Sequence, residues 1–141
     1  MKLGICIAFV LVSSCSALLG IIGTEQSVEV TGKLICNGRP ADDIKVKLYD
    51  KEMILDSKLG EAHTNKEGVF KVSGHKRELS TLDPKVNIYH RCNHDGLCDR
   101  KFSITIPENF ITDGETPTKT FDIGTINLAD QFKGETTDCI N

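Results

Sequence analysis

The chain has 141 residues, of which 17 are lysine or arginine and 20 are aspartate or glutamate, giving a formal net charge of −3. This length is sufficient for one domain with its own hydrophobic core. The weak negative balance provides no electrostatic attraction to nucleic acid or to an anionic membrane. We therefore expect a single domain whose partners are not nucleic acids.

The N-terminus has the order of residues that is typical of a secretory signal peptide. Lys2 precedes an apolar run, Leu3–Val12, and small residues follow it. The run is too short to cross a bilayer as a helix, so we expect no transmembrane anchor. We predict a signal peptide over residues 1–17 and one secreted, extracellular domain over residues 18–141. The alternative is a bacterial lipoprotein, because VSSC resembles a lipobox and would make Cys15 the lipidated residue.

Alternation of apolar and polar residues predicts a series of strands in the rest of the chain. The cleanest case is IKVKLYD, where Ile44, Val46 and Leu48 alternate with two lysines. The same criterion, together with flanking turn residues, predicts the other strands, which are Ser27–Cys36, an edge strand at Leu59–Thr64, Gly68–Gly74, Pro84–Cys92, Arg100–Ile106 and Thr120–Ala129.

Two segments interrupt this regular pattern. His75–Asp83 is the one stretch that could form a helical turn, and Pro84 limits its length. The apolar positions of the last strand change phase at Gly124, which predicts a β-bulge there. Seven or so short strands with no long amphipathic helix predict an antiparallel β-sandwich in which each sheet has one solvated face.

Four cysteines remain after the predicted signal peptide: Cys36, Cys92, Cys98 and Cys139. An even number in a secreted chain implies two disulfides, for which four cysteines allow three pairings. The residues NHDGL between Cys92 and Cys98 contain Asp-Gly, a strong turn dipeptide, which places both cysteines near the neck of a hairpin. We expect a Cys92–Cys98 bond on this ground, which leaves Cys36 to pair with Cys139, although the sequence alone does not decide the pairing.

The same stretch has the form H-x-C-x-H-x₃-C, so that His90, Cys92, His94 and Cys98 are an alternative set of zinc ligands. Common zinc sites take pairs of ligands from two separated segments, whereas these four would be cramped on one segment. In an oxidising compartment the thiols are expected to pair with each other instead. We therefore predict that the protein holds no metal and no cofactor.

Sequence motifs for catalysis are also missing. The chain contains no G-x-S-x-G elbow, no glycine-rich phosphate loop and no H-E-x-x-H. A cysteine nucleophile would need a free thiol, and two disulfides would leave none. We therefore expect a protein that is not an enzyme.

Several separated motifs resemble the nematode transthyretin-like family, namely VEVTGKLICNGRPADDIKVKLYDKE, DPKVNIYHRCN, RKFSITIPENFITDG and FDIGTINLADQFKGETTDCIN. The resemblance covers essentially all of the chain after the signal peptide and includes its four cysteines. It implies a secreted protein with an all-β, transthyretin-like (prealbumin-like) antiparallel sandwich of about seven to eight strands, of Greek-key type. It implies no reaction, because the C-terminal Tyr-Arg-Gly-Ser motif of the related hydroxyisourate hydrolases is absent from the end of this sequence, TDCIN.

These observations favour a secreted binding or adaptor module whose partner is an extracellular protein, a lipid headgroup or a small hydrophobic ligand. Two loops are candidate contact sites, because binding residues often lie on loops of a rigid scaffold. The loop ITDGETPTK, residues 111–119, is one of them. The other is the hairpin loop, whose candidate partner-binding residues are Asn93, His94, Asp95 and Leu97.

Two other functions remain as alternatives. The protein could carry a small hydrophobic ligand between the subunits of an oligomer, as transthyretin itself does. It could also be a hydroxyisourate-hydrolase-like enzyme, in which case His63 and His90 would be the side chains to test.

Overall fold

The structure is a computed structural model that describes residues 23–141, so the predicted signal peptide and Cys15 lie outside the described residues. The strands are β1 (Thr24–Cys36), β2 (Arg39–Pro40), β3 (Lys45–Asp50), β4 (Ser57–His63), β5 (Val69–Glu78), β6 (Pro84–His90), β7 (Asp99–Thr105), β8 (Thr112–Asp113), β9 (Phe121–Asn127) and β10 (Thr136–Asp138). A 3₁₀ turn spans Glu108–Phe110. Seven of these strands have six residues or more, which agrees with the predicted number. Within this part of the chain, no helix is long and apolar enough to cross a membrane.

The strands form two sheets of five strands each. In the first sheet β1 pairs with β5 along one edge and with β8 and β9 along the other, and β2 pairs with its last residues. The second sheet has the order β10-β7-β6-β3-β4. Every pairing is antiparallel except that of β1 with β9, which is parallel. The predicted all-β sandwich is therefore confirmed, with one parallel pair that the residue pattern does not reveal.

The core lies between the two sheets and follows the alternation in the sequence. Val46 and Leu48 of β3 are completely buried, whereas Lys45 and Lys47, which alternate with them, face outward. The fully enclosed side chains come from both sheets and from the segments that connect them: Val28, Val30, Leu34, Val46, Leu48, Phe70, Leu82, Val86, Ile88, Ile106 and Leu128. Burial of this apolar surface is the main favourable contribution to folding, at about 25 cal/mol per Å² removed from water.

The predicted helical turn at His75–Asp83 is wrong. Strand β5 continues to Glu78, because β1 begins at Thr24 and its first residues supply backbone partners for residues 75–78. Hydrogen bonding to a neighbouring strand satisfies the same amide groups that a helical turn would pair internally. Only after Glu78 does the chain turn, and it then buries Leu82 in the core.

The β-bulge predicted at Gly124 is present. In the β1–β9 pair one residue of β1, Gly32, faces two residues of β9, Ile123 and Gly124. Gly124 has a φ of 80°, and its amide donates a hydrogen bond of 2.8 Å to Oδ1 of Asp122. A Cβ atom at position 32 would lie 2.4 Å from Cγ1 of Ile123. The bulge therefore places the Ile123 side chain in space that only a glycine on β1 leaves open.

Substitution Gly32→Ala should lower the free energy of unfolding by about 1–3 kcal/mol, as is typical when a methyl group is added to a filled site. Urea denaturation followed by circular dichroism measures this change. Ile123→Ala should cost less in the Gly32→Ala background than in the wild type, because it removes the clashing atom. Strictly additive effects of the two substitutions would contradict the proposed contact.

Two disulfides are present, as predicted, but their pairing differs from the expected one. Cys36 bonds to Cys92 and Cys98 bonds to Cys139, with Cα–Cα distances of 5.8 and 4.4 Å. The expected Cys92–Cys98 and Cys36–Cys139 bonds are wrong. The residues between Cys92 and Cys98 are typical of a simple hairpin, and nothing in their sequence places Cys36 or Cys139 beside them.

Tertiary structure explains the observed pairing. The last paired residues of the β6–β7 hairpin are His90 and Arg100, so Cys92 and Cys98 both lie in the connecting loop. Cys92 reaches across the sandwich to the end of β1, in the other sheet. Strand β10 pairs with the start of β7 and thereby brings Cys139 beside Cys98. Each half of the loop is thus bonded to a different distant element.

The Cys98–Cys139 bond should be reduced before the Cys36–Cys92 bond, because Cys139 is exposed whereas Cys92 is buried and thiol exchange requires access to a sulfur atom. Differential alkylation during a titration with reductant, followed by peptide mapping, measures the order. Earlier loss of Cys36–Cys92, or a map containing a Cys92–Cys98 peptide, would contradict this expectation.

Candidate functional site

The loop Asn93–Leu97, called the bracketed loop below, lies at one end of the sandwich with a disulfide on each side of it. Cys92 anchors it to the end of β1, and Cys98 anchors it to the C-terminal segment. The predicted loop of four candidate residues is therefore fixed at both ends, although by bonds to two other elements rather than by one bond across its neck. A disulfide to a distant residue restricts a loop more than hydrogen bonds alone would.

Asn93 connects the bracketed loop to the turn after β1. The side-chain amides of Asn37 and Asn93 donate to each other, with N–O distances of 2.8 and 3.1 Å. Both residues have positive φ angles, 54° and 53°, which asparagine adopts more readily than most side chains. Each asparagine directly follows one cysteine of the Cys36–Cys92 disulfide, so the bond and the amide pair together fix the start of the loop.

The remaining residues of the bracketed loop divide into an inward and an outward set. The ring of His94 folds back over Gly96, where a Cβ atom would lie 2.8 Å from Nε2 of His94. The guanidinium of Arg91 contacts the Gly96 carbonyl oxygen. Asp95 is exposed, and Leu97 is completely exposed at 102%. Of the four predicted residues, Asp95 and Leu97 are therefore free to contact a partner, whereas Asn93 and His94 hold the loop in shape.

Beside the bracketed loop, the buried side chain of Arg100 organises this end of the molecule. Its Nε and one Nη donate to the carboxylate of Glu135 at 3.2 and 2.8 Å. Its other donors reach the carbonyl oxygens of Cys92, Leu128 and Asp130 at 2.8–3.1 Å. All five N–H groups of the guanidinium are thereby used. Charge-assisted hydrogen bonds of this kind are stronger than neutral ones, so Arg100 joins β7, the residue before the bracketed loop and residues 128–135.

A cleft of about 370 Å³ separates the bracketed loop from the segment that follows β9. Its lining residues are Asn93, His94, Arg100, Ala129, Gln131, Glu135 and Thr137. Since the guanidinium of Arg100 has no free donor, we assign it a structural role in the floor of the cleft. The sequence pattern contains a signal for this role, because Arg100 shares its strand face with buried Phe102.

His90 is buried at the base of the bracketed loop. Its Nδ1 accepts a hydrogen bond of 3.1 Å from the amide of Cys92, and its ring meets Phe102 edge-on at a centroid distance of 5.9 Å. Its Nε2 has no hydrogen-bond partner among the described residues. Burial, aided by the nearby positive charge of Arg100, lowers the pKa of His90 to about 4 from the ordinary 6.5. His90 is therefore a neutral core residue at physiological pH.

The pKa of His90 predicts an acid-sensitive fold. As the pH falls below 6.5, His90 becomes protonated in the unfolded state, whereas in the folded state it stays neutral until about pH 4. Protonation therefore favours the unfolded state, and the free energy of unfolding should fall across this range. The loss should be at most about 3 kcal/mol. Denaturation of wild type and His90→Gln at pH 7 and pH 4.5 measures it, with exposed His63→Gln as the control. An equal pH dependence in wild type and His90→Gln would contradict the assignment.

The alternative zinc ligands are not available as a set, and the two histidines of the hydrolase alternative lie in different environments. Cys92 and Cys98 are both in disulfides and cannot act as thiolate ligands. His63 is partly exposed, with its Nδ1 2.9 Å from Oδ1 of Asp43, whereas His90 is enclosed in the core. No hydrogen bond between described residues joins these two histidines.

The second predicted contact loop, residues 111–119, lies at the opposite end of β1 from Cys36. Its strand β8 pairs with Gln26 and Ser27 near the start of β1. The hydroxyl of Thr112 accepts a hydrogen bond of 3.1 Å from the amide of Thr118 and closes the loop. The two predicted loops therefore belong to different ends of the sandwich and do not form one site.

Two clusters of acidic and histidine side chains could be compared with metal sites. In one, Glu25, His75 and Glu115 lie together, and Nδ1 of His75 is 2.5 Å from the Glu25 carboxylate, which raises the pKa of His75. In the other, Asp50, Glu52 and Glu78 surround the ammonium group of Lys76, whose pKa is raised by the hydrogen bonds to these glutamates. A basic side chain of this protein already contacts the carboxylates of each cluster, namely Arg77 at 3.7 Å from Glu25 in the first and Lys76 in the second.

Comparison with known proteins identifies the family of this chain. Residues 31–107 match the model of the transthyretin-like family. The matched range contains the β6–β7 hairpin and three of the four disulfide cysteines. The chain belongs to the transthyretin-like family.

Relatives confirm the assignment over nearly the full length. Transthyretin-like protein 5 of Caenorhabditis elegans is 47% identical over 135 residues, covering 93% of this chain and 94% of the relative. Transthyretin-like protein 33 of the same organism is 43% identical over 132 residues, covering 88% and 92%. Among solved structures, (S)-allantoin synthase aligns with a TM-score of 0.42 at 10% identity, covering 84% of this chain and 45% of that one. A structural likeness this low carries no argument about function.

Proposed function

We propose that this transthyretin-like protein is a secreted, extracellular binding or adaptor protein without catalytic activity, and that it contacts a protein partner through the bracketed loop. The observation that carries the proposal is the combination of two disulfides flanking the loop with the complete exposure of Leu97. An exposed leucine on a mobile loop would be unremarkable, whereas one on a fixed loop presents a defined apolar contact.

The rigidity of the bracketed loop matters for affinity. A binding segment that is already ordered loses less conformational entropy when a partner docks. Here the disulfides and the amide pair between Asn37 and Asn93 provide that order before binding. Leu97 then supplies apolar contact area, and the exposed carboxylate of Asp95 favours a partner surface that combines an apolar pocket with a basic side chain.

The extracellular location is supported by the cysteine chemistry. All four cysteines of the described chain are in disulfides, which persist in oxidising compartments such as the extracellular space. The proposed absence of catalysis is supported by the same fact together with the burial of His90, since residues 23–141 contain neither a free thiol nor an accessible histidine–cysteine pair.

Replacing Asp95→Asn and Leu97→Ser together should weaken partner binding by about tenfold or more without unfolding the domain, because both side chains are exposed. The oxidised protein serves as bait in extracellular fluid of the source organism. The captured partner is then purified, and its Kd is measured by surface plasmon resonance against wild type and variant.

Met53→Ser is the matched control, since Met53 is as exposed as Leu97, at 103%, but follows β3 at the opposite end of the second sheet. The control should bind as the wild type does. Unchanged affinity of the loop variant, or equal losses in the loop variant and the control, would show that the bracketed loop is not the contact site.

A further inference from the structure

The outer face of the second sheet carries a trough that is separate from the bracketed loop. Its floor is formed by residues that alternate with the core positions of β3, β6 and β7 and therefore point away from the core. These are Lys47, Tyr49, Asn87, Tyr89 and Lys101. The trough has a volume of about 320 Å³, which is within the range of small-ligand sites. We call it the outer trough.

Two ammonium groups in the outer trough lack partners. Nζ of Lys47 and Nζ of Lys101 lie 5.5 and 5.6 Å from the centroid of the Tyr89 ring. Neither appears in an ion pair or side-chain hydrogen bond with any other residue of the described chain. The neighbouring lysines differ, since Lys85 pairs with Asp56 at 2.6 Å and Lys45 donates to Asn141 at 2.9 Å. Two ammonium groups around one aromatic ring thus have no direct ion-pair partner, although Asp138 also lines the trough and Glu61 is the cross-strand neighbour of Lys47.

The aromatic floor between these ammonium groups stays neutral. Tyr89 is 5% exposed although it lies on the outer face, and burial raises its pKa to about 12. The amide of Asn87 donates to its hydroxyl oxygen at 3.4 Å, and the Ser103 hydroxyl in turn donates to Asn87 at 2.6 Å. These bonds fix the ring and its polar neighbours, so the floor is a preformed surface rather than a set of mobile side chains.

The ends of the outer trough are apolar. Ile54 and Leu55, in the loop between β3 and β4, are 99% and 78% exposed. Ile140, in the C-terminal segment, is 92% exposed. The segment is held in place by the Cys98–Cys139 disulfide and by the contact of Lys45 with Asn141. Large apolar side chains thus stand at both ends of a trough whose middle is cationic.

Asp138 adds a carboxylate to the lining of the outer trough. Its Oδ2 is buried and has no hydrogen-bond partner within residues 23–141. Buried polar atoms without partners are rare, so this carboxylate has unused capacity to accept hydrogen bonds at the wall of the trough. Because its charge repels an anion, the acidic group of a ligand belongs between Lys47 and Lys101, and a ligand N–H or O–H belongs next to Asp138.

We propose that the outer trough binds a small amphipathic organic acid, with its acidic group between Lys47 and Lys101 and its apolar body against Ile54, Leu55 or Ile140. The charge of the two unpaired lysines selects the acidic group, and the exposed aliphatic side chains at the ends of the trough favour an aromatic or aliphatic body. The site lies within one chain and does not depend on assembly with a second copy.

The probe for this site is anilinonaphthalene sulfonate, an aromatic sulfonate with an N–H donor whose fluorescence rises in apolar surroundings. Wild-type protein at neutral pH should give saturable binding. The double variant Lys47→Gln/Lys101→Gln should lose about tenfold or more in affinity, since it removes both charge-assisted donors to the sulfonate. Lys33→Gln/Lys66→Gln is the control, because it removes the same net charge from exposed positions outside the trough and should leave affinity unchanged.

Uncharged phenylnaphthylamine distinguishes anion recognition from apolar adsorption. The trough variant should bind it as the wild type does, because the molecule lacks the acidic group. Competition by phenylacetate and by phenyl phosphate then shows whether a carboxylate or a phosphate is preferred, and displacement by either supports the site. Circular dichroism confirms that all variants are folded.

Three outcomes would overturn the proposal: no saturable binding by the wild type, equal losses in the trough variant and the lysine control, or an equal loss of phenylnaphthylamine binding. The Asp95→Asn/Leu97→Ser variant should bind the probe normally. Ligand binding by the outer trough and partner binding by the bracketed loop can therefore be tested independently.

Discussion

The rest of the fold depends on the pairing of β1 along both of its edges. A long strand presents backbone N–H and C=O groups on two sides, and each buried group needs a partner. Strand β5 pairs with one edge, while β8 and β9 pair with the other. This arrangement makes β1 the centre of the first sheet, and it places Cys36, at its end, where Cys92 of the β6–β7 loop can reach it.

Three glycines allow neighbouring strands and the two sheets to approach each other closely. Gly32 leaves space for Ile123, so that the bulged strand β9 can lie against β1 in parallel. On the other side of the sandwich, a Cβ atom at Gly60 of β4 would lie 2.2 Å from the Ser73 carbonyl oxygen, and one at Gly74 of β5 would lie 2.2 Å from that of Leu59. The two sheets therefore approach each other at this edge because neither glycine carries a side chain.

Two surfaces of the molecule have different physical origins. The bracketed loop owes its shape to covalent bonds and to the buried Arg100–Glu135 pair beneath it, which fix a loop that has little apolar contact of its own. The outer trough is part of a sheet and takes its shape from the regular spacing of side chains on three strands. The C-terminal segment connects the two, because Cys139 anchors the loop while its neighbours Asp138 and Ile140 line the trough.

Much of the fold could be predicted because side-chain alternation along a strand is a local property. The residues of β3, of β6 and of the bulge at Gly124 were correctly identified, since burial of one face leaves a period of two in the sequence. The resemblance carried by separated motifs supplied the fold family. The end of β5 was missed, because residues 75–78 are extended only when the start of β1 is present to pair with them.

The candidate site was predicted less completely for the same reason. The sequence placed Asp95 and Leu97 on an exposed turn, and it required two disulfides from an even number of cysteines. Three other features involve residues far apart in the chain: the bond of Cys36 to Cys92, the pairing of Arg100 with Glu135, and the unpaired state of Lys47 and Lys101. The sequence by itself therefore determined the strands and the chemical character of the loops. Only the tertiary structure decided which distant groups meet, because bonds and charge pairs depend on distances in space.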